Sequence, residues 1–239
     1  KDRQESDASD KRVSKESLQE KKNYRDSNKK TIGIPRALYN YNLFLILNPF
    51  FQELGYNVIF SDESSGETIE LAQAHAQTEV CFPVKLAIGH VVQLLEIGID
   101  YLLIPSVISV NEQNLQSGVN RACVYMHSAP SMIAKAVNLQ EQNVTLLAPV
   151  LDLAAGNEKV MSSIYEIGLQ LGQTKEECSS AIEKAAAIMR EKRAAHGRGK
   201  TSGALMPGED LKNSDKPVFV VLARGYCAKD FILNQNIEN

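Results

Sequence analysis

Cysteine is scarce in this chain: four residues in 239, at positions 81, 123, 178 and 227, with no Cys-x-x-Cys among them. That excludes a disulfide framework for a chain of this size and removes the strongest zinc and dithiol spacings. Isolated thiols of this kind belong to a reducing compartment, so a cytoplasmic protein is expected. Basic excess is also missing. The net charge of −3 argues against a nucleic-acid binder, which usually carries a surplus of Lys and Arg. No apolar run reaches the roughly 18–20 residues of a membrane span, and the N-terminal residues are too polar for a signal peptide. Neither Gly-x-x-x-x-Gly-Lys-Ser/Thr nor Gly-x-Gly-x-x-Gly occurs, which disfavours a nucleotide site in this chain. The run Gly197-Arg-Gly-Lys-Thr-Ser-Gly203 follows a helical pattern rather than a strand and reads as a helix end. No His-x-x-x-His marks a zinc hydrolase.

What remains is an ordinary globular composition, 44% hydrophobic and 23% charged. Residues 1–30 are crowded with charge and poor in aliphatic side chains, and read as a charged linker, with helix over 14–22. Order begins with a strand at 31–34. A helix over 40–54 closed by Gly55 and a strand over 57–61 complete a β-α-β unit, which predicts a right-handed parallel crossover. Helices follow over 67–76 and 83–97, then a strand at 101–104 closed by Pro105. Residues 106–126 read as loops, Pro130 opens a helix to about Leu139 with Ser128 or Ser131 as cap, and 144–147 is the next strand. Helices over 157–171 and from Thr174 onward, the latter with a Thr/Glu capping box, precede a strand at 218–222 and a turn at 224–226. The expected fold class is α/β: a Rossmann-like parallel sheet with helices on both faces. The division is 1–30 linker, 31–215 α/β domain, and 216–239 a last strand with the start of a second α/β unit.

Ligands of open parallel sheets bind beyond the carboxyl ends of the strands. Arg36, Ser61-Asp62, Ser106 and Arg224-Gly225-Tyr226 are therefore candidates by position. Arg36 and Arg224 suit an anion through bidentate contacts, although either could as well pair with a carboxylate of the fold. Cys81 stands in Cys-Phe-Pro, an entry that places sulfur at a helix start where a thiolate is electrostatically favoured. Lys85 and His90, on the helix behind it, are further ligand-binding candidates, although His90 could equally be a packed residue. A catalytic Cys81/His90 dyad is excluded, because nine residues of helix separate them by roughly 13 Å. Cys123 lies in a similar setting before a helix. Two thiolates fall short of the three or four that a cubane needs, and an inert packed cysteine is an equally open reading for each. Cys178 falls inside a helix and reads as structural; the role of Cys227 is open.

Three segments together carry a resemblance: Ile32-Gly-Ile-Pro-Arg-Ala-Leu with Phe50-Phe-Gln-Glu-Leu-Gly-Tyr-Asn-Val and Ser61-Asp; Cys81-Phe-Pro-Val-Lys-Leu-Ala-Ile-Gly-His; and Ala223-Arg-Gly-Tyr with Asp230 and Asn234. Over about 31–239 the chain resembles the uncharacterised domain of CoA-substrate-specific enzyme activases, DUF2229. That domain is related to the subunits of 2-hydroxyacyl-CoA dehydratases and to double-cubane cluster proteins of anaerobes. The resemblance implies that Cys81 and Cys123 are ligands of a 4Fe–4S cluster, with a further cysteine ligand beyond residue 239. It also implies an ATPase domain before the linker, cluster modules as partners, and a CoA-dependent dehydratase or reductase as the enzyme served. Two positions depart from the family pattern: its Gly-Arg-Pro-Tyr reads Ala-Arg-Gly-Tyr, and Cys227 replaces an asparagine. The implied function is accessory electron transfer, with no catalysis by the domain alone. Its competitors are a docking domain with structural cysteines and a fragment of a CoA-dependent enzyme.

Overall fold

A computed structural model describes residues 25–76, 79–110, 121–195 and 223–235. The predicted helix over 14–22, the strand over 218–222, His196 and the Gly197–Gly203 run lie outside the described residues, as does the boundary at 215/216. Strand β1 (Thr31–Ile34) is buried at every position, as expected of a central parallel strand covered on both faces. Helix α1 (Asn40–Glu53) turns its apolar stripe of Leu43, Ile46, Leu47, Phe50 and Phe51 inward. Gly55, at φ 86°, reverses the chain into β2 (Asn57–Phe60), which pairs parallel with β1. Helix α2 (Gly66–His75) is opened by a reciprocal cap: the Thr68 N–H donates to Ser65 Oγ, and the Ser65 N–H to Thr68 Oγ1. Helix α3 (Phe82–Ile97) ends at Gly98, which supplies the left-handed turn at φ 83°.

Strand β3 (Tyr101–Leu103) and, later, β5 (Thr145–Leu147) complete a parallel sheet in the order β2-β1-β3-β5, flanked by helices. The sheet's order reverses between β1 and β3. The expected α/β class and the strands of this sheet are thus present. Within it Ile32, Ile34, Leu102 and Leu103 meet Phe50 and Phe51 in one continuous core.

Three expectations need correction. Pro105 interrupts β3 without ending the sheet structure: the chain resumes as β4 (Ser106–Ser109), which pairs parallel with β6 (Val150–Asp152). Pro149 makes the same interruption beside it, and Ser106 N donates to Pro149 O across 2.9 Å. A proline has no N–H for the ladder, so each long strand breaks in two while its course continues. Second, the helix expected from Pro130 begins earlier, as α4 (Val124–Ala136), with Pro130 inside it and Cys123 at the cap position. Its buried stripe Met126, Ala129, Pro130, Ile133 supports the earlier start, and Ser128 and Ser131 are interior residues rather than caps. Third, residues 224–226 are not a simple turn, because a short helix starts there.

Beyond a 3-10 turn at Leu139–Gln142 come α5 (Asn157–Gln170) and α6 (Lys175–Ala195). The Thr174 cap is present: the Glu177 N–H donates to Thr174 Oγ1 at 3.2 Å and Thr174 N–H to Glu177 Oε2 at 2.8 Å. Helix α6 packs on α1, α3 on α2, and α4 on β4. The short helix α7 (Gly225–Lys229) is followed by Asp230, which accepts from the Tyr41 phenol on α1.

Candidate functional site

Cys81 and Cys123 occupy the same backbone setting. Cys81 caps α3 at φ −61°, ψ 148°, and its carbonyl accepts from Val84 N and Lys85 N at 3.0 and 3.1 Å. Cys123 caps α4 at φ −59°, ψ 142°, and its carbonyl accepts from Met126 N at 2.8 Å. In both, the extended cap conformation starts the helix with backbone bonds alone, and neither side chain makes a capping bond. Both thiols are free and half-buried. Cys178 differs: it is fully buried, and a β-carbon added at Gly168 would stand 2.5 Å from its sulfur. It fills a helix contact, as expected of a structural cysteine.

Helix α7 carries a third group of candidate residues. Tyr226 is buried and meets Tyr39 edge to face at 5.7 Å between ring centroids. Burial pushes the Tyr226 phenol up to about 12, with the nearby Cys227 and Cys81 thiols and Tyr39 adding to the shift and Arg224 opposing it. Arg224 loses some preference for its charge by burial, but Tyr226, a hydrogen-bonded Tyr39 and Cys123 more than restore it, and its pKa is raised. Burial likewise raises the free, half-buried Cys227; Arg224 works against that shift, while Asp230 and Cys81 reinforce it. Tyr226 thus senses the Cys81 and Cys227 thiols, and Arg224 senses that of Cys123. Tyr39 places Tyr226 at the carboxyl end of the sheet. Beside Tyr39, Asn40 Nδ2 donates to the carbonyls of Pro35 (3.1 Å) and Leu103 (3.5 Å), which follow β1 and end β3. This is the crevice where the strand order reverses, the favoured binding position of such folds.

A second polar cluster runs alongside. Arg36 N–H donates to Ser61 Oγ (2.7 Å), and Ser61 Oγ lies 3.1 Å from His90 Nδ1. On the other side His90 Nε2 lies 2.9 Å from Ser64 Oγ, whose hydroxyl donates to Asp230 Oδ2. Because Ser64 spends its one proton on Asp230, His90 must donate from Nε2, leaving Nδ1 to accept from Ser61. The neutral imidazole satisfies every member. Burial lowers the His90 pKa to about 4, with Asp230, Gln93 and Asp62 resisting that shift and Arg36 adding to it. The Arg36 guanidinium lies 4.8 Å over the Phe60 ring and 3.1 Å from Glu63. Lys85, one turn into α3, pairs with Glu79 at 3.1 Å.

Of the predicted residues, Tyr226 packs on Tyr39 beside the strand ends, Arg224 precedes it at the start of α7, and Cys81 and Cys123 stand at the caps of α3 and α4. Arg36 and His90 belong to the adjoining cluster through Ser61. Tyr39, Tyr41 and Ser64 carry contacts at these places that no motif reading had assigned, and Asp230, quoted for the resemblance, had been given no role. Among the described residues no three His, Cys, Asp or Glu side chains stand close enough to hold a single metal ion. A cubane is wider than one ion, with four metals between its thiolates, and free half-buried thiols beside a guanidinium are the donor type it takes. The donor set fits a cluster in kind.

The family described as CoA enzyme activase uncharacterised domain (DUF2229) matches residues 31–239, and the chain belongs to it. No curated protein and no solved structure matches the chain. No helix among the described residues is long and apolar enough to cross a membrane.

Proposed function

From this membership we propose that the chain is the accessory iron–sulfur, electron-transfer domain of an ATP-dependent activator serving a CoA-thioester dehydratase or reductase. The observation that supports the reading is that Cys81 and Cys123 are both free, half-buried thiols at helix caps of the same extended backbone conformation. In this reading Cys81 and Cys123 hold the cluster, which would supply one-electron chemistry at low potential. Arg224 offsets thiolate charge, and Tyr226 with Tyr39 walls the site from the sheet side. The polar cluster of Arg36, His90 and Asp230 fixes the floor. Partners in this reading are the ATPase and cluster modules of the parent protein and the CoA-dependent enzyme itself, in the cytoplasm. The competing reading is a non-catalytic ligand-binding or docking domain with structural cysteines: Cys81 and Cys123 are half-buried where Cys178 is fully buried, but they too pack against the core.

Anaerobic reconstitution with ferrous iron and sulfide tests the proposal. Cluster absorbance that disappears in Cys81→Ser and Cys123→Ser is expected. If the unmodified chain takes up no cluster, or both variants take up as much as it does, the reading fails.

A further inference from the structure

Independently of that reading, we infer that one ordered water molecule occupies the cavity where β1 and β3 end, donating to Asn40 Oδ1 and accepting from the Leu38 N–H. Asn40 opens α1 and is 2% exposed. Its amide nitrogen donates to the carbonyls of Pro35 at 3.1 Å and Leu103 at 3.5 Å, which uses both of its hydrogens. Those carbonyls follow β1 and end β3, where Pro35 and Pro105 have no N–H to offer. Exchanging the amide's nitrogen and oxygen would set an oxygen against two carbonyl oxygens, so the side chain has one orientation. In that orientation Asn40 Oδ1 is buried and has no hydrogen-bond partner among the described residues. A buried acceptor of this kind calls for a donor, because its desolvation is otherwise uncompensated.

Size decides what the donor is. Asn40 lines a cavity whose walls include Ala37, Leu38, Ala87, Val107, Met126 and Ile133, all of them buried. Its volume of about 10 Å³ is close to the least that holds a water and far below the space an organic ligand needs. One side-chain oxygen is also too few for a metal ion, which takes four or more ligands. The water's second bond comes from the backbone. Leu38 is left-handed at φ 53°, and Tyr39 after it is right-handed at φ −74°, ψ −9°. Such an alternation turns successive N–H groups to one concave side, where an oxygen accepts from them. Leu38, Tyr39 and Asn40 all line the cavity. With one bond given and one accepted, the water ties the first turn of α1 to the ends of the strands.

Cross-relaxation between water and protein hydrogens in the isotope-labelled 239-residue chain tests this. A water held for longer than nanoseconds gives laboratory-frame and rotating-frame Overhauser peaks of opposite sign, whereas simple hydrogen exchange gives peaks of the same sign. Opposite-signed peaks to the Leu38 N–H and to the Asn40 Nδ2 hydrogens are expected in the unmodified chain. Ala87, 1% exposed, offers the control. Ala87→Val adds two methyl groups to the cavity wall and leaves the Asn40 bonds to Pro35 and Leu103 in place. It should lose the water peaks at both groups, and oxygen-17 relaxation dispersion should count one long-lived water fewer. Circular dichroism checks that the variant folds. Absence of the water peaks at either group in the unmodified chain overturns the inference, and this measurement needs no variant. A folded Ala87→Val chain with unchanged peaks and an unchanged water count also overturns it.

Discussion

The Tyr41 phenol donates to Asp230 Oδ2 across 3.0 Å, joining positions 189 apart in the sequence. Tyr41 lies on α1, the first helix of the domain, and Asp230 follows its last described helix. Burial first, then the facing carboxylate, raises the Tyr41 pKa, so the phenol stays a donor. Ser64 and His90 extend the contact to the ends of the strands.

Asp230→Ala should free α7. It takes the acceptor from the Tyr41 and Ser64 hydroxyl protons in a part-buried place, at about 1–3 kcal/mol. Denaturant melts would record that loss, and hydrogen exchange should show residues 223–235 losing protection before the sheet does. Equal protection in the variant would refute the anchor.

His90 predicts a pH dependence. Its folded pKa of about 4 lies below the ordinary value of 6.5, so between these limits the unfolded chain binds a proton that the native state refuses. The stability contributed is complete above about pH 6.5, declines as pH falls, and levels off below about pH 4, a total of order 3 kcal/mol. Urea midpoints across that window would measure it. His90→Gln should flatten the slope and lower stability at neutral pH.

Gly89 brings α3 against α2 so closely that an added β-carbon would stand 2.1 Å from the Thr68 carbonyl oxygen. That neighbour is backbone and cannot swing aside. Gly89→Ala should therefore cost about 1–3 kcal/mol or more by overpacking, despite its better helix propensity. A melting temperature equal to or above the parent's would contradict the contact.

Arg224→Met tests the thiol neighbourhood without any cofactor. Arg224 opposes the burial that raises the Cys227 pKa, so its loss should raise that pKa further. Alkylation of Cys227 by iodoacetamide, followed by mass spectrometry from pH 7 to pH 9, should slow in the variant. An unchanged rate profile would separate Arg224 from Cys227.

Much of the large sheet was legible, because Ile32-Gly-Ile, Val58-Ile59 and Leu102-Leu103 are apolar runs bounded by Gly, Pro or Asn. The Gly55 and Gly98 stops and the Thr174 cap read directly for the same local reason. The β4–β6 pair was hidden because Pro105 and Pro149 carry the ordinary signature of strand ends, and its pairing is long-range. Proline misled again in α4, where Pro130 looked like a first-turn residue although the Met126/Ala129/Ile133 stripe extends across it. At the site, Cys81, Cys123 and Arg224 could be picked by position relative to helices and strands. Nothing local in Lys229-Asp230-Phe231 announces a buried carboxylate, since its partners Ser64 and Tyr41 stand more than half the chain away.

The two proline breaks lie side by side, so they form a crease across the strands. Cys81 heads a helix that packs on β1 of the large sheet, whereas Cys123 heads one packed on β4 of the small sheet. Ser106 and His127 lash that second helix to its own sheet by bonds of 2.8 and 3.1 Å. The two thiols thus head helices tied to different sheets on either side of the Pro105–Pro149 line, and the contact between α3 and α4 joins those helices.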